Sequence, residues 1–68
     1  MSWKPGVKTL NDDTWNYNGL RFATEQEALD SANELRSRWT LVYETAAHES
    51  DDEVNYKFED GRNVSLEN

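Results

Sequence analysis

Apolar residues recur at Ala28, Ala32, Leu35 and Trp39, with Leu29 beside them, while Asp30, Ser31, Glu34 and Arg38 fall between. That spacing is helical and predicts one apolar stripe. Thr24 opens the run and Glu27 follows three residues later, the Thr-x-x-Glu pattern of a capping box. Glu25 and Glu27 suit the positive end of the helix dipole, and Arg36 and Arg38 suit its negative end. Glu34 and Arg38 stand in the favourable order for a pair worth ~0.3 kcal/mol. The run stops at Trp39-Thr40-Leu41-Val42-Tyr43, where β-branched and aromatic residues favour a strand. A helix of about 14 residues spans roughly 21 Å, enough to cover one face of a small sheet.

The flanks alternate with the two-residue period of strands. From Thr14 to Phe22, Asn18-Gly19 is the preferred dipeptide of a type I′ hairpin turn. Such a turn sets Tyr17 across from Leu20 and Trp15 across from Phe22, all on one face. Thr40 to about His48 reads as the next strand, with only partial alternation. Val54 to Glu59 alternates cleanly, and Asp60-Gly61 turns the chain into Arg62–Leu66. Apolar parity favours a three-residue loop, Glu59-Asp60-Gly61, with Tyr56 opposite Val64 and Val54 opposite Leu66. Residues 1–13 are the least patterned. Pro5-Gly6 is turn chemistry, so the segment reads as an arm or a short edge strand.

The expected fold is α+β: an antiparallel-rich sheet of about five strands with one helix packed on one face, in the order β-β-α-β-β-β. Residues 1–68 form one small domain. A domain of this size buries only ~60% of the surface its unfolded chain exposes, so added support matters. With no cysteine, disulfides and thiolate metal sites are excluded. That suits a reducing, cytoplasmic setting. Eight aromatic residues offer more apolar area than one helix-covered face needs, and the surplus points to an interface.

Charge narrows the partners. A net charge of −7 repels nucleic-acid backbones and anionic lipid, which disfavours direct nucleic-acid binding and membrane association. Apolar runs are too short for a transmembrane span, and Met1-Ser2-Trp3-Lys4-Pro5 lacks the apolar core of a signal peptide.

Taken together, Arg21-Phe22-Ala23-Thr24, Glu27-Ala28, Leu35, Arg38–Val42, Glu49–Asp52, Val54-Asn55-Tyr56 and Asp60-Gly61 form a pattern. It resembles small uncharacterised proteins of bacteriophages, prophages and their bacterial hosts. The chain departs from that pattern at Ala46-Ala47-His48 and at Glu53. The resemblance implies a phage or phage-derived setting and carries no activity with it.

No motif supplies a catalytic residue, a cofactor site or a metal site. Glu49, Asp51, Asp52 and Glu53 form an acidic loop, but a calcium-binding loop counted from Asp51 would need Gly where Tyr56 stands and an acid where Arg62 stands. His48 is the single histidine and has no neighbouring nucleophile in sequence. The leading expectation is a non-enzymatic accessory protein that binds a host or phage protein, with a homodimer as one arrangement. Its candidate partner-binding residues are Glu49, Asp51, Asp52, Glu53, Trp3 and Tyr43. One alternative is an acidic phosphate mimic that inhibits a nucleic-acid-binding host or defence protein. Another is an oligomer that sequesters a nucleotide-like small molecule with Arg21, Arg36, Arg38 or Arg62.

Overall fold

The computed structural model describes residues 1–10 and 12–66. Along the chain run β1 (Ser2–Thr9), β2 (Asp12–Tyr17), α1 (Glu25–Arg38), β3 (Val42–Ser50), β4 (Tyr56–Glu59) and β5 (Arg62–Ser65). The α+β class and the single helix are as expected, but the strands make two antiparallel sheets rather than one. The first has three strands in the order β2-β1-β3, and the second is the hairpin β4-β5. The element order β-β-α-β-β-β is kept with a different first pair of strands.

The helix forms where its pattern predicts. Thr24 has an extended backbone, and its Oγ1 accepts the Glu27 amide at 3.2 Å. Glu27 does not turn back to the Thr24 amide as a full capping box requires. Its Oε1 accepts the Thr24 hydroxyl at 3.0 Å, and its Oε2 accepts the Phe58 amide at 3.1 Å. A residue read as a local cap therefore also ties α1 to β4. At the other end the Trp39 amide donates to the Leu35 carbonyl, and Trp39 itself is 40% exposed. Ala28, Ser31 and Ala32 are the buried helix positions, small side chains that let α1 lie close on β1 and β3. Val7, Ala32 and Val42 pack together with Leu35 against them, and Phe22 is fully buried.

The first correction concerns residues 1–13. Ser2–Thr9 is neither an arm nor an edge but the central strand, paired on both sides. Pro5-Gly6 sits inside it, and both residues are tolerated for physical reasons. Trp3 exchanges its amide and carbonyl with Phe22 at 2.8 Å each. Alternate residues face the same flank, so the amide that Pro5 lacks would have pointed to that side. There the pairing has a gap: Trp3 pairs with Phe22 and Gly6 with Tyr17, so three steps on β1 face five on the other chain, and residues 18–21 loop out.

The second correction concerns Asn18-Gly19. Among the described residues positive φ occurs only at Asp60 and Gly61, so no type I′ turn forms at Asn18-Gly19. Asn18 Oδ1 instead accepts the Leu20 amide. Asn55 then clamps the loop from a distance: its Nδ2 donates to the Gly19 carbonyl at 3.0 Å, and its Oδ1 accepts the Arg21 amide at 2.7 Å. The amides of Asn55 and Tyr56 both donate to the Arg21 carbonyl. Trp15 and Tyr17 thus pair against β1, not against Leu20 and Phe22.

β3 begins later than expected, at Val42, and its partial alternation has a local cause. Lys8 pairs with Glu44 and Thr9 with Val42, which leaves Tyr43 as the extra residue of a bulge. The bulge switches parity, so Val42 is 6% exposed and faces α1 along with Thr45 and Ala47. Thr45 Oγ1 donates to Asn33 Oδ1 of the helix at 2.6 Å.

The third correction is the last hairpin. Glu59 pairs with Arg62 across a two-residue Asp60-Gly61 turn, with φ of 54° and 78°. Both central residues are left-handed, as a type I′ turn demands. Phe58 therefore faces Asn63 and Tyr56 faces Ser65, while Val64 lies opposite Lys57 and Leu66 is 46% exposed. Turn chemistry prevailed over apolar parity because α1 offers Asn63 a polar partner. Ser31, expected on the outer helix face, is 3% exposed and donates its hydroxyl to Asn63 Oδ1 at 2.7 Å.

Candidate functional site

The register assigns side chains to two faces of the three-stranded sheet. Trp3, Pro5, Val7 and Thr9 of β1 share the helix-covered side. Lys4, Gly6 and Lys8 share the opposite side with Trp15 and Tyr17 of β2 and Glu44, Ala46 and His48 of β3. Helix α1 packs on the first side, and the β4-β5 hairpin packs on the helix, so among the described residues no helix or strand covers the second.

This bare face is organised around Gly6. A Cβ there would lie 3.0 Å from Tyr17 Cε1 and 3.3 Å from Trp15 Cε3. The two rings lie across the glycine. His48 completes the group: its ring meets Trp15 edge-on at 5.0 Å between centroids and Tyr17 at 5.8 Å. The Tyr17 hydroxyl and His48 Nδ1 share a 2.8 Å hydrogen bond whose direction follows the imidazole tautomer. Lys4 Nζ stands 4.2 Å from the Tyr17 ring centroid, and Lys8 Nζ 4.8 Å from that of Trp15. Each such cation–π contact is worth about 0.5–1 kcal/mol at an exposed site. Among the described residues neither lysine is in an ion pair. Tyr17 is 42% exposed, and the patch sets two lysines against aromatic rings, with Glu44 paired across from Lys8 on the same face. It offers an uncovered surface of aromatic rings, an imidazole and charged side chains.

The residues expected to bind a partner are not gathered here. Trp3 is half-buried on the helix-covered side of β1 and pairs with Phe22. Tyr43, 42% exposed in the bulge, donates its hydroxyl to Asp13 Oδ1 at 3.4 Å, at the end of β3 remote from Glu49. Glu49, Asp51 and Glu53 are exposed. Asp52 is engaged within the fold: Arg21 Nε donates to its Oδ2 at 2.8 Å, and the Ser50 hydroxyl donates to the same oxygen. The Arg21 and Ser50 hydrogen bonds, followed by the charge of Arg21, hold the Asp52 carboxyl below its ordinary value. Arg21 and Arg38 are paired with Asp52 and Glu34 respectively. Among the described residues no cluster of three or more His, Asp or Glu could hold a metal ion, and no helix is long and apolar enough to cross a membrane.

Sequence reasoning missed Lys4, Gly6, Lys8, Trp15, Tyr17 and His48 as a group. The usable signal was the alternation Lys4-Gly6-Lys8 against Trp3-Pro5-Val7, which the turn chemistry of Pro5-Gly6 masked. Compared with family models, curated proteins and solved structures, the chain matches none.

Proposed function

We propose that this chain is a small non-enzymatic accessory protein that works by docking another protein on the bare face of its three-stranded sheet. In the phage or phage-derived setting that the resemblance implies, the partner is a host or phage protein met in the host cytoplasm. The observation that carries the reading is the cluster of Trp15, Tyr17 and His48 with Lys4 and Lys8 on a face that no other element covers. Aromatic rings with an apolar body and a polar tip are enriched at interfaces. Two cations beside them favour a partner that sets a carboxylate next to an apolar side chain. Self-association through the same face must work against −7 on each copy, so a separate partner that is not itself strongly acidic overall and sets a local carboxylate against the lysines ranks above a homodimer. The phosphate-mimic reading ranks lower, because Arg21 neutralises Asp52 within the acidic loop.

Affinity capture from host lysate tests this when wild type is run beside two charge variants. Lys4→Glu with Lys8→Glu should lose the captured protein, and Glu49→Gln with Glu53→Gln should keep it. Light scattering of the free protein should give the monomer mass. Equal capture by both variants, or loss only with the acidic-loop variant, would remove the bare face from the proposal.

A further inference from the structure

On the other side of the sheet, α1 covers β1 and β3 but stops short of β2, whose inward-facing residue beside Val7 is Asn16. The overhang leaves a cleft of about 220 Å³ between β2, α1 and Asn63 of β5. Val7, Ala32 and Leu35 give it apolar walls. Three carboxamides stand among the lining residues: Asn16, Asn18 and Asn63. Each has one end engaged by the protein. Asn63 Oδ1 accepts from Ser31, Asn18 Oδ1 accepts from Leu20, and Asn16 Nδ2 donates to the Thr14 carbonyl. Among the described residues that leaves two amide donors, on Asn63 and Asn18, and one amide acceptor, on Asn16. The charged lining residues, Glu34 and Arg38, neutralise each other in an ion pair of 2.9 Å.

We infer that this cleft binds a small, uncharged, planar heterocycle carrying hydrogen-bond donors and acceptors along its edge, the chemistry of a nucleobase or its nucleoside. Size sets the upper limit, since drug-sized ligands occupy pockets of roughly 300–1,000 Å³. Charge disfavours the anions: Arg38, the arginine lining the cleft, is paired with Glu34, whose carboxylate repels a phosphate or free carboxylate there. Polarity excludes a purely apolar guest, because burying carboxamide ends without replacing their hydrogen bonds is unfavourable. The three carboxamides suit such an edge together, since Asn18 and Asn63 offer donors and Asn16 an acceptor to complementary atoms of a base. The cleft opens on the helix side of the sheet and meets the docking face only through Tyr17, which lines the cleft as well.

Titration of isotope-labelled protein with adenosine, uridine, adenosine monophosphate and indole, followed by amide chemical shifts and calorimetry, tests the inference. At least one nucleoside should bind with shifts centred on Asn16, Ala32 and Asn63. It should bind about tenfold tighter than indole, the equivalent of one good hydrogen bond. The monophosphate should bind no more tightly than adenosine. Asn16→Leu should weaken the nucleoside about tenfold with the amide spectrum of the free protein otherwise preserved, and Arg38→Gln, which removes the cleft's cation, should leave nucleoside binding within about threefold of wild type. Indole binding as tightly as the nucleosides, a monophosphate preferred about tenfold, shifts confined to Lys4, Trp15 and His48, or no binding by any probe would each overturn it. None of these outcomes bears on partner capture by the bare face.

Discussion

The two faces of the three-stranded sheet distribute their apolar residues in opposite ways. Under the helix lie small or medium side chains: Val7, Ala28, Ala32 and Val42, with Phe22 as the one large group that is fully buried. On the uncovered side lie Trp15 and Tyr17, resting on Gly6 and flanked by lysines, while Trp3, the large ring of β1, is half-buried on the helix side. A domain that used its apolar area only for stability would place the big rings under the helix. Here Trp3 is placed that way and the helix side holds the fold with close backbone approach and polar ties, while Trp15 and Tyr17 stand on the face that α1 leaves open.

If that division is right, damage to the helix side should be far more costly. Phe22→Ala removes a fully buried ring, a change that costs about 3–5 kcal/mol. For so small a domain the expected outcome is loss of cooperative unfolding in a denaturant titration. Ser31→Ala strips Asn63 of its buried donor and should cost about 1–2 kcal/mol, read as a lower denaturation midpoint with an unchanged slope. Gly6→Ala probes the boundary between the faces. Reduced unfolded-state entropy would stabilise it by about 0.4–1 kcal/mol. Contact with Tyr17 and Trp15 at 3.0 and 3.3 Å opposes this with an overpacking cost of about 1–3 kcal/mol. Net destabilisation of about 1 kcal/mol with altered near-ultraviolet circular dichroism is expected; net stabilisation would mean the rings do not rest there.

The smallest effect concerns the Arg21–Asp52 tie at the edge of both faces. Because the folded pKa of Asp52 is lowered, its contribution is complete above the ordinary carboxylate value and is lost as pH falls through the folded value. Stability curves of wild type and Asp52→Asn should therefore differ near neutral pH and converge on acidification. Parallel curves down to acid pH would show that Arg21 does not favour the ionised carboxylate.

How far these features can be read from sequence follows from the range of the interactions involved. The helix was legible to its ends, because Thr24, the charges of its termini and the Ala28–Leu35 stripe are all local signals. The hairpins were not. Asn18-Gly19 carries the stronger turn dipeptide, yet Asn55, 36 residues away, holds that loop in another conformation. Asp60-Gly61 does form its preferred turn, against an apolar parity that ignored the seat Ser31 provides for Asn63. Central placement of Ser2–Thr9 was hidden by Pro5 and Gly6, whose fit depends on the gap after Tyr17 and on rings from β2. As for the docking face, its aromatic surplus was countable from composition. Its members were not identifiable until β1 was known to run between β2 and β3.

Footprinting with a carbene or hydroxyl radical on the captured complex tests the division of labour most directly. Modification of Trp15, Tyr17 and Lys4 should fall on partner binding, while Trp39 and Phe58 on the helix side should be modified as in the free protein. Protection of Trp39 and Phe58 with Trp15 and Tyr17 unchanged would contradict the account.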